Sequence, residues 1–227
     1  MAFNDFTAES PENFEQKCLC VLTLDVSGSM AGNPISQLNA GLMTFHSEIK
    51  DGDDEVLRDR LELSIVEFGS KVKCIQEPAL VDSFDMPKLS VKGTTKMVDG
   101  VRAAIEKVEA RKEWYKSTEQ PYYRPWIILI TDGAPDDDQD VTALAEEIQR
   151  GATDKKFVFL AVGVKGADMK TLSKIAQTGM PPTKLQGFKF SHFFRWLSNS
   201  MGTITNKQKG EKVAFEKPDW MEEFTIE

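Results

Sequence analysis

The sequence predicts an α/β fold: a doubly wound, mostly parallel central sheet with one antiparallel edge strand and helices on both faces. Short, almost wholly apolar runs occur at Cys18 to Val26, Trp126 to Ile130 and Phe157 to Val164, the pattern of strands buried on both sides. Segments with apolar residues at helical spacing separate them, and strands alternating with amphipathic helices build covered parallel sheets. Leu61, Leu63, Ile65 and Phe68, then Val72 to Ile75, flank Gly69-Ser70 as a hairpin, which supplies the antiparallel edge.

Taken in order, residues 1–17 form a polar and acidic N-terminal extension, and Cys18 opens the central strand. After it, Asn33-Pro34 offers an N-cap and a first-turn proline to a helix that carries Ile35, Leu38, Leu42, Phe45 and Ile49 on one face. The hairpin follows. Beyond a proline-punctuated stretch, Met97, Val101, Ala104, Ile105 and Val108 mark a long helix from about Lys96 to Arg111 or further. Lys116 to Arg124, with Pro121, is a surface connection into the strand at Trp126. Asp140 caps a helix holding Val141, Leu144, Ala145 and Ile148, Asp168 and Gly179 bracket a short one, and Ser191 opens the last with Phe194, Leu197 and Met201 inward. One domain over residues 18–205 results, followed by a charged tail, 206–227, with Val213, Phe215 and Trp220 as its anchors.

Composition narrows the function. The 227 residues hold 28 Lys or Arg against 36 Asp or Glu, a formal charge of −8, and 41% apolar residues, enough for a real core. The acidic balance repels phosphate, so no nucleic acid and no anionic membrane is expected as a partner. The N-terminus lacks the basic-then-apolar pattern of a secretory signal, and no apolar run approaches the roughly 18 residues of a membrane span. Three cysteines, Cys18, Cys20 and Cys74, make an odd number without disulfide spacing, which fits a reducing compartment. A cytoplasmic protein is expected.

In open parallel sheets ligands bind beyond the carboxyl ends of the strands, and two of the apolar strands end there in oxygen-rich turns, Asp25-Val26-Ser27-Gly28-Ser29 and Thr131-Asp132-Gly133. Asp25, Ser27 and Ser29 alternate, so their oxygens can converge, and Gly28 lets the chain bend between them. With Asp132 and a threonine they form a set of hard oxygen donors without His or Cys, suited to Mg²⁺, Mn²⁺ or Ca²⁺ rather than to zinc or copper. Such a shell is incomplete, and water or a partner's oxygen must close it. The plainer reading makes S-G-S only a turn, with Ser29 or Asn33 capping the next helix.

DVSGSM at Asp25 to Met30 resembles the D-x-S-x-S signature of von Willebrand factor type A domains, whose fold is Rossmann-like. ILITDGAP from Ile127 is similar to that family's strand and Asp-Gly turn, and GTTKMVDGV from Gly93 to its threonine loop and helix start. The resemblance spans about Cys18 to Thr205. It implies a metal-ion-dependent adhesion site in which Ser27, Ser29 and Thr95 bind a divalent cation directly, Mg²⁺ first, while Asp25 and Asp132 balance its charge. Relatives carry Gly-Gly-Thr and a later Gly; here Thr94 stands at the second Gly and Val98 at the later one. Aligning Met97 and Val101 with the apolar helix start puts Thr95 on the ligand position, with Thr94 as the alternative. SGSMAGNPI, Pro87-Lys88-Leu89, TDGAPDDD and FFRWLSNSM further resemble the bacterial TerY-type tellurium-resistance group. That likeness implies a protein partner offering Asp or Glu to the metal, such as a kinase or PP2C-like phosphatase, within a stress-resistance or defence system.

Other chemistries fit less well. An aspartyl phosphotransferase wants a second Asp where Ser27 stands, and a serine hydrolase wants G-x-S-x-G with a positioned base, whereas His46 and His192 both lie beside Phe on helices. No phosphate-binding glycine loop occurs. A metal-assisted phosphohydrolase using the same rim, and a scaffold whose site has lost its metal, are the alternatives to a non-enzymatic binding module. Asp136-Asp137-Asp138 with Asp140 reads as a solvated acidic turn, or as a second weak cation site or a rim for a basic partner surface.

Overall fold

The computed structural model of the protein describes residues 14–185 and 190–206. Residues 1–13 of the expected extension, and the tail with Val213, Phe215 and Trp220, lie outside them. The elements in chain order are β1 (Cys18–Asp25), α1 (Asn33–Lys50), α2 (Glu55–Arg60), β2 (Leu61–Phe68), β3 (Val72–Leu80), α3 (Met97–Ser117), β4 (Trp126–Thr131), α4 (Val141–Thr153), β5 (Val158–Gly163), α5 (Met169–Ile175), β6 (Thr183–Lys184) and α6 (Phe190–Thr205). They form one six-stranded sheet in the order β3-β2-β1-β4-β5-β6, parallel throughout except for β3, which runs antiparallel to β2 at the edge.

The continuous apolar runs follow from burial on both faces. Successive side chains of a strand alternate between faces, and β1 divides accordingly. Cys18, Cys20, Leu22 and Leu24 pack with Leu38, Leu42 and Phe45 of α1 and Phe193, Phe194, Leu197 and Met201 of α6. Leu19 and Val21 join Val101, Ala104 and Val108 of α3, Leu144 and Ile148 of α4, and Leu172 and Ile175 of α5. β4 divides likewise, with Ile128 and Ile130 on the first side and Ile127 and Leu129 on the second. No sequence position on either strand is left over for solvent. All three cysteines are free thiols, and burial pushes Cys18 up to about 12.

Several local expectations are revised. Gly32, at φ +79°, is the residue before α1 and makes no side-chain cap, so Asn33 starts the helix instead of capping it, and Pro34 sits in the first turn. The helix α2 and the two-residue strand β6 have no counterpart in the sequence reading, β3 runs on to Leu80, and α3 takes in Lys116 and Ser117. Asp140 and Asp168 do cap α4 and α5, accepting from Ala143 N and from Lys170 and Thr171 N.

At the amino end of the sheet, away from the strand ends that carry the acidic turns, Glu62 and Arg111 form a fully buried bidentate pair at 2.8 and 2.6 Å, with both side chains 3% exposed. The Tyr115 hydroxyl donates to the same carboxylate, and the Arg111 guanidinium lies 3.9 Å over the Trp114 ring. This pair pins α3 to β2. Removing one partner of such a pair leaves a buried charge uncompensated, so Glu62→Ala is expected to lower unfolding free energy by about 3–5 kcal/mol in urea titrations. Glu113→Ala, which breaks the exposed pair with Lys116, is expected to leave the midpoint where it is.

Candidate metal centre

The carboxyl ends of β1 and β4 are neighbours in the sheet, and the two turns that leave them face each other. Asp25, the last residue of β1, is wholly buried. Its Oδ1 accepts from Ser27 N at 2.8 Å and its Oδ2 from Thr131 Oγ1 at 2.6 Å. Thr131 closes β4, and its hydroxyl also accepts from Gly133 N at 3.2 Å. Ser27 Oγ lies 3.0 Å from Ser29 Oγ, and Ser29 Oγ donates to Asp132 Oδ1 at 2.7 Å. One hydrogen-bonded chain therefore runs from Thr131 through Asp25, Ser27 and Ser29 to Asp132.

Neither serine serves a helix end. Ser27 precedes the short 3-10 turn Gly28–Met30 in extended conformation without a side-chain cap bond, and the cap position of α1 is a glycine. The capping role that the plain-turn reading of S-G-S expects is not filled by Ser29 or Asn33, and both serine hydroxyls are directed into the network.

The threonine loop is brought to the same rim by the backbone. Lys92 N donates to Val26 O at 2.6 Å, and Gly28 N donates to Gly93 O at 2.7 Å. Gly93 has φ +72°, and a Cβ there would lie 1.9 Å from Ser70 Oγ, so only glycine lets the loop pass the β2–β3 turn. Thr94 is exposed, and its amide donates to Ser70 Oγ at 3.0 Å. Thr95 is half-buried on the rim: a Cβ placed on Gly133 would lie 3.7 Å from Ser29 Oγ and 3.9 Å from Thr95 Oγ1. One point thus sits within reach of the serine and the threonine hydroxyls beside Asp132, and the bare Gly133 leaves it clear.

The electrostatics suit a cation. Burial pushes the Asp25 carboxyl above its usual range, opposed by the hydrogen bonds from Ser27 and Thr131 and reinforced by the negative charge of Asp132. Burial raises Asp132 as well, opposed by Ser29. No Lys or Arg pairs with either carboxylate among the described residues. Nor do three or more His, Cys, Asp or Glu side chains gather at metal-holding spacing among them, so the donors that meet here are carboxylates and hydroxyls, all hard oxygens. The residues present fit a divalent cation of the Mg²⁺ class.

The von Willebrand factor type A family model matches residues 20–195. The chain belongs to this family. No curated protein matches it in sequence. Among solved structures, it is similar to the pilus adhesin SpaC from Lactobacillus rhamnosus GG, with TM-score 0.65, 13% identity, and 84% of this chain covering 31% of that one. It is similar too to the ArnB paralog VWA2 from Sulfolobus acidocaldarius, with TM-score 0.53, 16% identity, and coverage of 82% and 45%. A third likeness is to the proximal thread matrix protein 1 from the mussel byssus with a zinc-occupied metal-ion-dependent adhesion motif, at TM-score 0.52, 18% identity, and coverage of 82% and 48%. At these identities the likeness is one of fold, and this chain spans less than half the length of each of the three.

Two features of the rim were not legible as functional. Thr131 stands beside Asp132 in the sequence, but its bond to Asp25 depends on a strand pairing 106 residues apart. The acidic turn is engaged with the threonine loop as well as solvated: Asp136 Oδ1 accepts from Thr95 N at 3.0 Å, and Asp138, though exposed, forms an ion pair with Lys96. His46, as expected, is structural, with Nε2 2.9 Å from Phe84 O.

The raised carboxylates set a pH dependence for the metal-free protein. A folded-state pKa above the unfolded value of 3.8 means that the native state holds the proton longer, so the Asp25 contribution to stability declines as pH rises above 3.8 toward the raised value. In EDTA, Asp25→Asn is therefore expected to gain stability relative to wild type over that rise and to show the smallest gain at pH 3.8 and below, as read from paired thermal melts across pH.

Proposed function

We propose that this von Willebrand A domain is a non-enzymatic, metal-dependent protein-binding module that engages an Asp or Glu carboxylate of a partner through a metal-ion-dependent adhesion site. The observation that carries the reading is that the Ser29 and Thr95 hydroxyls meet at one clear point beside Gly133, with Ser27 and Asp132 hydrogen-bonded to Ser29 and the buried Asp25 bonded to Ser27 N. Ser27, Ser29 and Thr95 would hold the cation, Mg²⁺ first and Mn²⁺ or Ca²⁺ next, and Asp25 and Asp132 would balance its charge. The mussel thread protein with its zinc-occupied motif supports a divalent cation in this fold.

When bound, the cation supplies a Lewis-acidic position open to one anionic oxygen from outside. The chain's own residues account for that opening. Asp25 spends both carboxylate oxygens on Ser27 N and Thr131 Oγ1, which fixes its orientation and keeps it from crowding the rim. Ser29 is held by Asp132 on one side and Ser27 on the other, so its hydroxyl is aimed before anything binds. Hydroxyl donors are neutral, and only two carboxylates stand within the network, so a partner carboxylate is favoured over water as the closing ligand. The net charge of −8 repels an acidic partner at long range, which calls for a carboxylate set in a neutral or basic patch. Among the described residues no His or Lys side chain is hydrogen-bonded to Asp25, Ser27, Ser29 or Asp132, which disfavours the phosphohydrolase reading.

The finer reading follows the TerY-like sequence features: a bacterial, cytoplasmic protein of a tellurium-resistance or defence system, with a protein kinase or PP2C-like phosphatase as partner. No helix among the described residues is long and apolar enough to cross a membrane, which is compatible with that setting.

Cation binding to the native state alone raises stability by RT ln(1 + [L]/Kd), about 2.7 kcal/mol at a hundredfold excess over Kd. Millimolar Mg²⁺ or Mn²⁺ is therefore expected to raise the thermal midpoint of the wild type and to have little effect on Ser27→Ala. Thr95→Ala is expected to reduce the shift and Thr94→Ala to leave it unchanged; the reverse order would move the ligand to Thr94. Capture of a partner from lysate, identified by mass spectrometry, is expected to be lost in EDTA and in Ser29→Ala, and equal capture under all conditions would overturn the adhesion-site reading.

A further inference from the structure

The loop that carries Thr95 is held by two different parts of the molecule. Residues 92–94 are bonded to the turn that follows β1 and to the β2–β3 turn through Lys92, Gly93 and Thr94. Lys96 N keeps a bond to the β2–β3 turn, at Gly69 O, whereas Thr95, Val98 and Asp99 are held by the β4–α4 turn, the one that follows Asp132. Thr95 and Asp136 exchange two hydrogen bonds: Thr95 N donates to Asp136 Oδ1 at 3.0 Å, and Asp136 N donates to Thr95 O at 3.1 Å. Gln139 Oε1 accepts from Val98 N at 3.0 Å and Asp99 N at 3.2 Å, and its Nε2 donates to Asp99 Oδ2 at 3.2 Å. The first turn of a helix leaves N–H groups without internal partners, and Lys96, at the cap position of α3, offers no side-chain acceptor. A side chain some 40 residues away supplies what the local sequence lacks.

We infer that Asp136 and Gln139 are positioning residues of the metal site: they join the Asp132 turn and the Thr95 loop into one unit and fix Thr95 Oγ1 opposite Ser29. This rests on the metal-binding reading and extends it to residues that touch no ligand. The physical reason is the division of labour just described. With Asp136 and Gln139 truncated to alanine, residues 92–94, Lys96 N and the Thr95 carbonyl keep their bonds, but the Thr95, Val98 and Asp99 amides lose theirs, and the direction of the threonine side chain is held less firmly. Partners that orient a metal ligand without touching the metal typically contribute 10–100-fold in affinity.

The test uses the full chain, with Mn²⁺ as the probe, in calorimetric titrations and in amide hydrogen exchange in EDTA. The double variant Asp136→Ala/Gln139→Ala is expected to bind Mn²⁺ about tenfold more weakly. It is also expected to exchange faster at Thr95, Val98 and Asp99, with Gly28 and Ala143, whose acceptors are untouched, as at wild type. Asp136→Asn keeps an accepting oxygen and is expected to stay within about twofold of wild type. Acting through Thr95, the double substitution is expected to add little in a Thr95→Ala background. Wild-type affinity in the double variant, or an undiminished tenfold loss without Thr95, overturns the positioning role while leaving the metal site standing. A wild type that takes up no Mn²⁺ overturns the metal reading instead, and this inference with it.

Discussion

The hydrogen bond from Thr131 Oγ1 to Asp25 Oδ2 is the constraint on which the rim depends. It joins the last residues of β1 and β4, strands that lie side by side at the middle of the sheet and are buried on both faces. Because it occupies one oxygen of Asp25 while Ser27 N occupies the other, the carboxylate cannot turn. The direction of the Asp25–Ser29 turn follows from that, and Ser29 then meets Asp132. The backbone bonds from Gly28 to Gly93 and from Lys92 to Val26 bring the third loop in against the same turn. Asp25, Ser27, Ser29 and Asp132 are thus positioned from the sheet, and the Thr95 loop is held by its bonds to the turns around it.

The two ends of this sheet handle buried charge in opposite ways. At the amino end Glu62 is answered by the Arg111 fork and the Tyr115 hydroxyl. At the carboxyl end two carboxylates are buried with hydroxyl and amide donors but, among the described residues, without a cationic side chain, and both are pushed toward the protonated form. Hydrogen bonds offset part of the desolvation and cannot neutralise the charge. The Glu62 charge is paired internally, whereas on the proposed function the rim holds charge in a form that an external cation would complete.

What the sequence disclosed, and what it hid, divides by range. Runs such as Cys18 to Asp25 and Trp126 to Thr131 announce themselves because burial on both faces leaves no polar alternation, and Asp140 and Asp168 signal helix starts by local capping chemistry. The alternation Asp25, Ser27, Ser29 is similarly local, and the family likeness supplied the distant Asp132 and Thr95. α2, at six residues, is too short to display a period, and β6, at two, exists only because β5 offers it an edge. Asn33 looked like a cap because its type fits, yet the chain enters α1 through the positive φ of Gly32. The grip of Asp136 and Gln139 on the threonine loop could not be read, since an acidic turn before a helix has the same composition whether it is solvated or bonded across 40 residues.

The strand order also bears on how such a rim comes into being. Its parts reach it from around residues 25–29, 95 and 131–133, and the bonds that join them span 103 and 106 positions. Contacts of that range close large loops and form late relative to helices and hairpins. During synthesis the serines emerge long before Asp132, so a growing chain exposes half of an oxygen cluster with nothing to oppose it. The complete cluster exists only after β4 has docked beside β1, which makes it a marker of finished folding: on the proposed function, ion capture at this rim and display of the binding surface would begin together, when the centre of the sheet has closed.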